Sequence, residues 1–349
     1  MALKILFLTH KYYPDIGGIE TISEILANSF YNAGYDVCLV TWTKEIGKKT
    51  FPFKVIRSPG FFDLIRVHRW ADVVFENNLS LRLAWPGIFF NRGWVTSLQT
   101  WITKADGSVG LQEKIKFKWL KRSKIVISCS EAIRKRCWPT SIVIGNPYQE
   151  DTFKHLENIE KKGDFLFLGR LVSDKGADLA IQAFKQLLKE QEDNSSFSSL
   201  SLTIIGDGPE RDKLEKIVCD LKLTGRVFFK GALRGDVLVK SLNEHRFLLV
   251  PSMWEEPFGI VALEGMACGC VPIVSDGGGL PDAVGKAGLV FKRGDINSFV
   301  QSMLRVLKEP KLEEELRREA VMHLAAHTSV EVSRLYLNIF NGLNNSKYN

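Results

Sequence analysis

A chain of 349 residues exceeds what a single hydrophobic core usually serves, so its length favours two domains with a cleft between them. A composition of 45% hydrophobic and 25% charged residues excludes an intrinsically disordered chain. The net charge of +7 favours a polyanionic partner, which can be a phosphorylated substrate, an anionic bilayer or nucleic acid.

The chain opens with MALKILFLTH, whose apolar run is too short for a signal peptide or a membrane span. We interpret it as a buried first strand and expect a cytoplasmic protein. The six cysteines are scattered singly, apart from Cys268 and Cys270, and show neither a disulfide framework nor zinc spacing. We therefore expect reduced thiols within the core.

The first half alternates short apolar runs with helical patterns. The predicted strands are KILFL, DVCLVT, ADVVF, WVTSL and KIVIS, and the first helix is IETISEILANSF. This alternation predicts a parallel sheet with helices on both faces. The loop after the first strand contains Gly17 and Gly18, where the backbone and the following helix can approach a phosphate or sugar oxygen.

Much of the positive charge falls within residues 114–138, in the segments KIKFKWLKRSK and IRKRCW. Basic residues alternate there with Phe117, Trp119 and Trp138. One interpretation is a solvated helix face, and the other is a patch that contacts an anionic membrane surface. Nucleic-acid binding is disfavoured, because no helix-turn-helix, RNA-recognition motif or zinc finger accompanies the charge.

The strand and helix pattern restarts after a charged linker without apolar periodicity, which places the domain boundary near residue 150. The second set of strands is DFLFLG, SLTIIG, VFFKG, FLLVP, VPIVS and GLVF. The helix ADLAIQAFKQLLK presents a periodic apolar face that should pack on the sheet. The stretch at 193–201 reads as a flexible loop, and three helical patterns close the chain.

Chemistry-bearing residues follow the strands of this second unit. Arg170 and Lys175 share the loop RLVSDKG at the start of a helix, an arrangement that suits a diphosphate. The next strand ends in GDGP, a tight turn that we expect to shape the cleft wall. Because open parallel sheets bind ligands beyond the carboxyl ends of their strands, these loops are candidate binding elements.

The strongest pattern is SMWEEPFGIVALEGMACGCVPIVS, in which Glu256 precedes a helix and Glu264 lies on it. We predict that the helix starts near Phe258, so that the free amides around Gly259 and Ile260 face the same ligand as Glu256. One carboxylate can then hold sugar hydroxyls and the other ribose hydroxyls. The apolar flanks argue against a solvated surface helix.

Through EPFGIVALE, GRLVSDKG, GDGP and PDIGG, in this order across both halves, the sequence closely resembles glycosyltransferase family 4 of the GT-B fold. The resemblance implies two Rossmann-like, doubly wound α/β domains facing across a cleft. It implies that Arg170 and Lys175 hold the diphosphate, Glu256 contacts the donor sugar and Glu264 holds the ribose. The backbone around Leu233 would adjoin the base.

The resemblance also implies that the last helix returns to the first domain. The expected domains are residues 1–150 with about 330–349, which bind the acceptor, and residues 151–329, which bind the nucleotide sugar. Many family members carry a histidine near the anomeric carbon, whereas here the local polar residues are Gln99, Thr100 and Asp106. The linker NPYQEDTF and the sequence EGMACGC also depart from the usual family pattern.

These observations predict a retaining glycosyltransferase that uses a nucleotide diphosphate sugar, with UDP-glucose as the first expectation, and needs no metal or other cofactor. No Asp-x-Asp occurs, which disfavours a metal-dependent GT-A enzyme. The expected acceptor is a glycan or a lipid-linked glycan of cell-envelope or exopolysaccharide synthesis. A nicotinamide-dependent oxidoreductase or epimerase is the first alternative, although G-x-G-x-x-G does not follow the first strand. A non-catalytic sugar-binding protein is the second.

Overall fold

The structure is a computed structural model that describes residues 2–104, 106–190 and 199–345. Internal contacts divide the chain into two compact units, one of residues 1–148 with 327–349 and the other of residues 149–326. The boundaries expected from the sequence were near 150 and 330. Most of the 193–201 stretch that was read as a flexible loop lies outside the described residues.

The first unit is built on a parallel sheet of seven strands among its described residues. The strands are β1 (Lys4–Thr9), β2 (Asp36–Thr41), β3 (Lys54–Arg57), β4 (Val73–Asn77), β5 (Gly93–Leu98), β6 (Ile125–Ser128) and β7 (Ile142–Val143), in the order β3-β2-β1-β4-β5-β6-β7. Its helices up to the linker are α1 (Gly18–Asn32), α2 (Phe61–Trp70), α3 (Leu81–Ala84), α4 (Leu111–Leu120) and α5 (Glu131–Cys137), with a 3-10 turn at Trp85–Phe89.

The central strand β1 is apolar at successive positions because both faces of the sheet are covered. Leu6 and Leu8 point to the face packed by α2, where they join a core cluster. Phe7 points to the opposite face, where its ring meets Phe30 of α1 and Phe75 of β4. The side-chain period of two thus divides one short run between two layers.

The second unit contains a parallel sheet of six strands within the described ranges. They are β8 (Gly163–Leu168), β9 (Leu202–Ile205), β10 (Val227–Gly231), β11 (His245–Val250), β12 (Val271–Ser275) and β13 (Leu289–Phe291), in the order β10-β9-β8-β11-β12-β13. The helices are α6 (Ala177–Glu190), α7 (Arg211–Asp220), α8 (Gly235–Asn243), α9 (Ile260–Ala267), α10 (Leu280–Val284), α11 (Ile296–Lys308) and α12 (Pro310–Ala325).

Both sheets therefore have the doubly wound topology expected from the sequence, which confirms the predicted α/β fold class. The apolar face predicted for α6 is also confirmed, since Ala180, Phe184 and Leu187 are fully buried in the core of the second unit. Strand order reverses between β8 and β11, the neighbours around which ligand crevices form in open parallel sheets.

The last helix, α13 (Ser329–Asn345), belongs to the first unit although it follows the second in sequence. The ring of Phe340 lies 5.4 Å from Phe30 and 5.4 Å from Phe75. The hydroxyl of Tyr336 is 3.0 Å from that of Ser97 at the end of β5. The buried aromatic face of α13 is what closes this side of the first sheet.

Several elements were not expected from the sequence, namely β3, β7, α2, α3, α8 and α10. None of the six exceeds ten residues, and β3, β7, α3 and α10 have five or fewer. The expectation of buried cysteines holds for five residues but is wrong for Cys219, which is exposed on α7; all six thiols are free. Among the described residues, no helix is long and apolar enough to cross a membrane.

Candidate nucleotide-sugar site

Arg170 and Lys175 lie on the loop between β8 and α6, at the carboxyl edge of the second sheet. The GDGP turn supports this loop from one side, because the amide of Leu171 donates to the carbonyl of Asp207 at 2.9 Å. Gly206 is needed there, since it has a positive φ of 145° and a Cβ would overlap the carbonyl oxygen of Gly169. The turn expected to shape a cleft wall therefore braces the cationic loop.

Gly176 joins the same loop to the segment that follows β11. Its φ is +72°, and a Cβ would overlap the carbonyl oxygen of Pro251. The amides of Met253 and Trp254 both donate to the carbonyl of Asp174, at 2.8 and 3.1 Å. These contacts bring two loops distant in sequence side by side.

As a result, Lys175 and Glu256 are in direct contact, with Nζ 2.5 Å from Oε1. Both side chains are largely shielded, at 24% and 15% exposure, so the pair is stronger than an ordinary surface ion pair. The hydroxyl of Ser252 donates to the same carboxylate oxygen at 2.8 Å. Arg170 is exposed, and no described residue pairs with its guanidinium.

The helix α9 begins at Ile260, two residues later than the sequence predicted, because Gly259 is its N-cap with a φ of +118°. A Cβ at this position would overlap the side chain of Leu280, so glycine is required by both conformation and space. Phe258 is buried and anchors the turn. The first amides of α9 have no partner within the helix and can donate to an anion.

Glu264 lies one turn into α9, and its side chain is largely desolvated. Burial raises the pKa of this carboxyl to about 7. When the pKa of a carboxyl group lies near 7, hydroxyl groups that donate hydrogen bonds to its ionised form stabilise that form. Hydroxyls of a ribose would supply such donors.

Sequence reasoning missed the third loop of the site, SDGGG after β12. Gly278 has a φ of +66° and forms a bridge with Glu256, and the amide of Gly279 donates to the carbonyl of Glu256 at 2.7 Å. A Cβ on Gly278 would overlap that carbonyl oxygen. The run of three glycines directly after a buried strand was the available signal, as was Ser252 directly after β11.

Leu233, expected near the base, is half-buried just after β10. It lies at the same carboxyl edge as the other loops, after β10, which pairs with β9. The structure thus brings Lys175, Glu256 and the start of α9 together. Arg170 lies on the same loop as Lys175, whereas Leu233 follows β10, two strands from β8 in the sheet.

The remaining predicted residues lie in the first unit. Gly17 is the N-cap of α1 and Gly18 its first residue, both after β1. Gln99 follows β5 and is 5% exposed, and its amide donates to Ser97 Oγ at 2.9 Å. Thr100 beside it is half-buried.

Asp106 is exposed, and its carboxylate accepts a hydrogen bond from the amide of Ser108 at 2.9 Å. Hydrogen bonds from Ser108, first from its side chain and then from its amide, lower the pKa of Asp106. The bond from the amide closes a local turn. Asp106 is therefore engaged in the loop itself, unlike Gln99 at the end of its strand.

The basic segment 114–138 forms α4, β6 and α5 of the first unit. Its first helix is not cleanly divided into apolar and basic faces, because Leu111 and Ile115 are exposed whereas Lys116 is half-buried. Lys114, Lys118 and Arg122 are exposed. The outer surface of α4 therefore mixes exposed cations with exposed aliphatic side chains.

Comparisons with known proteins show the family and the fold of the chain. Residues 148–321 match the family model described as glycosyl transferases group 1. The chain is 30% identical over 346 residues to N-acetyl-alpha-D-glucosaminyl L-malate synthase of Bacillus anthracis, covering 88% of this chain and 89% of that protein. It is 35% identical over 166 residues to D-inositol 3-phosphate glycosyltransferase of Acidothermus cellulolyticus, covering 45% of this chain and 36% of that protein. Several other curated relatives are matched over only about a third of their length.

The crystal structure of Anabaena HepE in complex with UDP has the same fold, with a TM-score of 0.81, 17% identity and coverage of 98% of this chain and all of that one. The same protein in complex with UDP-glucose gives a TM-score of 0.77. At 17% identity, this structural similarity shows only that the two proteins share a fold.

Proposed function

Because the chain belongs to the group 1 glycosyl transferases, which have the GT-B fold, we propose that it transfers a sugar from a nucleotide diphosphate sugar to an acceptor hydroxyl. The transfer retains the anomeric configuration and needs no metal ion. The observation that carries the proposal is the contact between Lys175 and Glu256 beside the free amides of α9.

In the proposed mechanism, Arg170 and Lys175 hold the diphosphate. As the bond from the anomeric carbon to the diphosphate breaks, negative charge grows on the leaving oxygen. These cations and the first amides of α9 stabilise that charge, and each preorganised donor of this kind is worth about 100- to 1,000-fold in rate. The acceptor hydroxyl attacks from the same face of the sugar.

The two acids fix the orientation of the donor. Glu256, held by Lys175 and Ser252, accepts hydrogen bonds from hydroxyls of the transferred sugar. Glu264 accepts from the ribose, and the backbone near Leu233 adjoins the base. Gly17 and Gly18 allow the backbone before α1 to approach the donor.

The donor that we propose is UDP-glucose. The HepE complexes with UDP and with UDP-glucose support this choice, because that protein has the same architecture. Two relatives are named for a sugar transferred to L-malate or to inositol 3-phosphate, so other sugars and acceptors belong in the same test.

The acceptor that we propose is a glycan or a lipid-linked glycan, bound by the first unit near Gln99, Thr100 and Asp106. The exposed cations and aliphatic side chains of α4 support a cytoplasmic protein that lies peripherally on an anionic membrane. Co-sedimentation with anionic vesicles tests this. A variant with Lys116, Lys118, Lys121 and Arg122 neutralised should lose binding, and unchanged binding would refute the membrane contact.

A thermal-shift panel of nucleotide sugars tests the donor, since a ligand that binds only the folded state raises the melting temperature. UDP-glucose should give the largest shift, and release of UDP in the presence of an acceptor extract should follow. NADH binding without any nucleotide-sugar shift would instead favour the oxidoreductase. A shift with free sugar alone would favour a non-catalytic sugar-binding protein.

A further inference from the structure

The first unit contains a cavity of about 510 Å³ beside its edge strand β3, on the side of α1. It is lined by Lys44, Ile46, Lys49, Thr50, Phe51, Phe53, Val55 and Arg57. Its volume is within the range of small-molecule sites, and its wall combines aromatic rings with cations. None of these residues belongs to the nucleotide-sugar site described above.

The alternation of β3 decides which side chains face the cavity. Val55 and Arg57 point into it, whereas Lys54 and Ile56 take the opposite face, where Ile56 packs on the cluster beneath α2. Arg57 is the last residue of β3, so its guanidinium lies at the carboxyl edge of the sheet. Ligands of open parallel sheets bind at this edge.

The loop between β2 and β3 forms one side of the cavity and packs on the segment that follows β1. The amide of Tyr12 donates to Thr43 Oγ1 at 3.0 Å, and that hydroxyl donates to Asp15 at 2.7 Å. The ring of Phe51 lies 5.1 Å from that of Tyr12. Gly47, with a φ of +69°, permits close contact with Tyr13, so the loop is built to stay in place.

Arg57, which lines the cavity, and Tyr12, a buried residue beside Arg57, each carry a buried donor without an acceptor among the described residues. The guanidinium of Arg57 lies 5.9 Å from the ring centroid of Tyr12. Its Nη1 atom and the hydroxyl of Tyr12 are both buried, and neither has a hydrogen-bond partner among the described residues. Buried polar groups are normally paired, and a buried charged donor without a partner is costly. An anion in the cavity would supply the missing acceptor.

The charged residues around the cavity also favour an anion as its ligand. Lys49 is already paired with Glu24 at 2.6 Å, so the charge of this carboxylate near Tyr12 is compensated. Asp15 is engaged by Thr43. Lys44 and Arg57 have no ion pair with any described residue, so two positive charges in the wall remain available.

We propose that this cavity binds an anionic group, a phosphate or a carboxylate, of the acceptor substrate, through Arg57 and Lys44. Its identification with the acceptor rests on the proposed function, whereas the binding of an anion does not. The aromatic wall formed by Phe51 and Phe53 would contact the apolar part of the same molecule.

Isothermal titration calorimetry of the full chain tests the proposal, with UDP at saturation to occupy the nucleotide site and ionic strength held constant. Inorganic phosphate and L-malate are the two anionic probes, and glycerol is the neutral control. Both anions should bind and glycerol should not. Tighter binding of phosphate would identify a phosphorylated acceptor, and tighter binding of malate a carboxylated one.

The variant Arg57→Gln should weaken binding of the preferred anion about tenfold or more, because it removes a charged donor from a partly desolvated site. Lys54→Gln is the matched control, since it removes the same charge from the opposite face of β3, and it should change affinity less than twofold. Lys44→Gln should weaken binding about threefold, and its exposed loop position keeps the test valid if Arg57→Gln does not fold.

Equal affinities for the Lys44, Lys54 and Arg57 variants, or no anion binding by the wild type, would overturn the proposal. The UDP titration that precedes each experiment is a separate readout. Anion binding that depends on Arg57 without any UDP binding would support the cavity and contradict the proposed function.

Discussion

Replacing Lys175 with methionine tests whether this lysine acts on the substrate or only balances the charge of Glu256. The two side chains are 2.5 Å apart and largely shielded, so removing one leaves the other uncompensated. We expect the free energy of unfolding to fall by about 1 to 3 kcal/mol. Turnover should fall by about 100- to 1,000-fold, because a cation beside a leaving diphosphate acts mainly in the transition state.

The double variant Lys175→Met with Glu256→Gln separates these effects. It removes both charges, so the free energy of unfolding in urea should return towards that of the wild type. Initial rates of UDP release from UDP-glucose should stay low. Lys213→Met is the matched control, because it breaks an exposed pair with Glu210 at 3.4 Å and should change stability by less than about 1 kcal/mol and leave turnover intact.

Recovery of turnover together with stability in the double variant would refute the reasoning. Lys175 would then serve only to neutralise Glu256, and the leaving diphosphate would depend on other groups. Turnover within tenfold of wild type for Lys175→Met alone would lead to the same conclusion.

Burial raises the pKa of Glu264 from 4.5 to about 7, so the folded state binds its proton more tightly than the unfolded chain. The free energy of unfolding should therefore fall as the pH rises from 4.5 to about 7. In urea titrations, Glu264→Gln should be more stable than wild type at pH 8, by up to about 3 kcal/mol, but not at pH 4. UDP-glucose affinity should rise with pH through 7 in the wild type and stay constant in that variant; a parallel rise in both would contradict the ribose contact. Gly278→Ala should destabilise the protein by more than about 2 kcal/mol, whereas Gly225→Ala, which has a positive φ but open space, should cost only about 1 kcal/mol in the same titration. Activity in EDTA should equal that in buffer, and a loss reversed by added Mg²⁺ would show that a metal takes part.

Apolar runs in the sequence were sufficient to predict the strands in the interior of each sheet. ILFL and FLLVP are uniformly apolar because β1 and β11 are covered on both faces, and such runs have few alternative structures. The edge strand β3 was not predicted because it has only four residues and none of them is fully buried. Short helices such as α10 were not predicted, because a helix of about one turn is too short to show a periodic pattern.

Part of the site was also present in the sequence alone. The order of EPFGIVALE after a strand predicted that Glu256 precedes a helix and that Glu264 lies on it, and the structure places them so. The start of α9 was predicted two residues too early, since Gly259 is its N-cap and the left-handed φ of Gly259 depends on how the turn meets Leu280.

The sequence by itself determined two parallel α/β units, the loops that bear charge and the helix that carries the second acid, because all of these follow from local periodicity and from residues next to strand ends. Tertiary structure alone decided that Lys175 meets Glu256, that Gly278 supports this contact, and that Arg57 lies beside Tyr12 in a cavity. Those contacts join residues between 22 and 81 positions apart, and they depend on strand order and backbone approach, which no local pattern encodes.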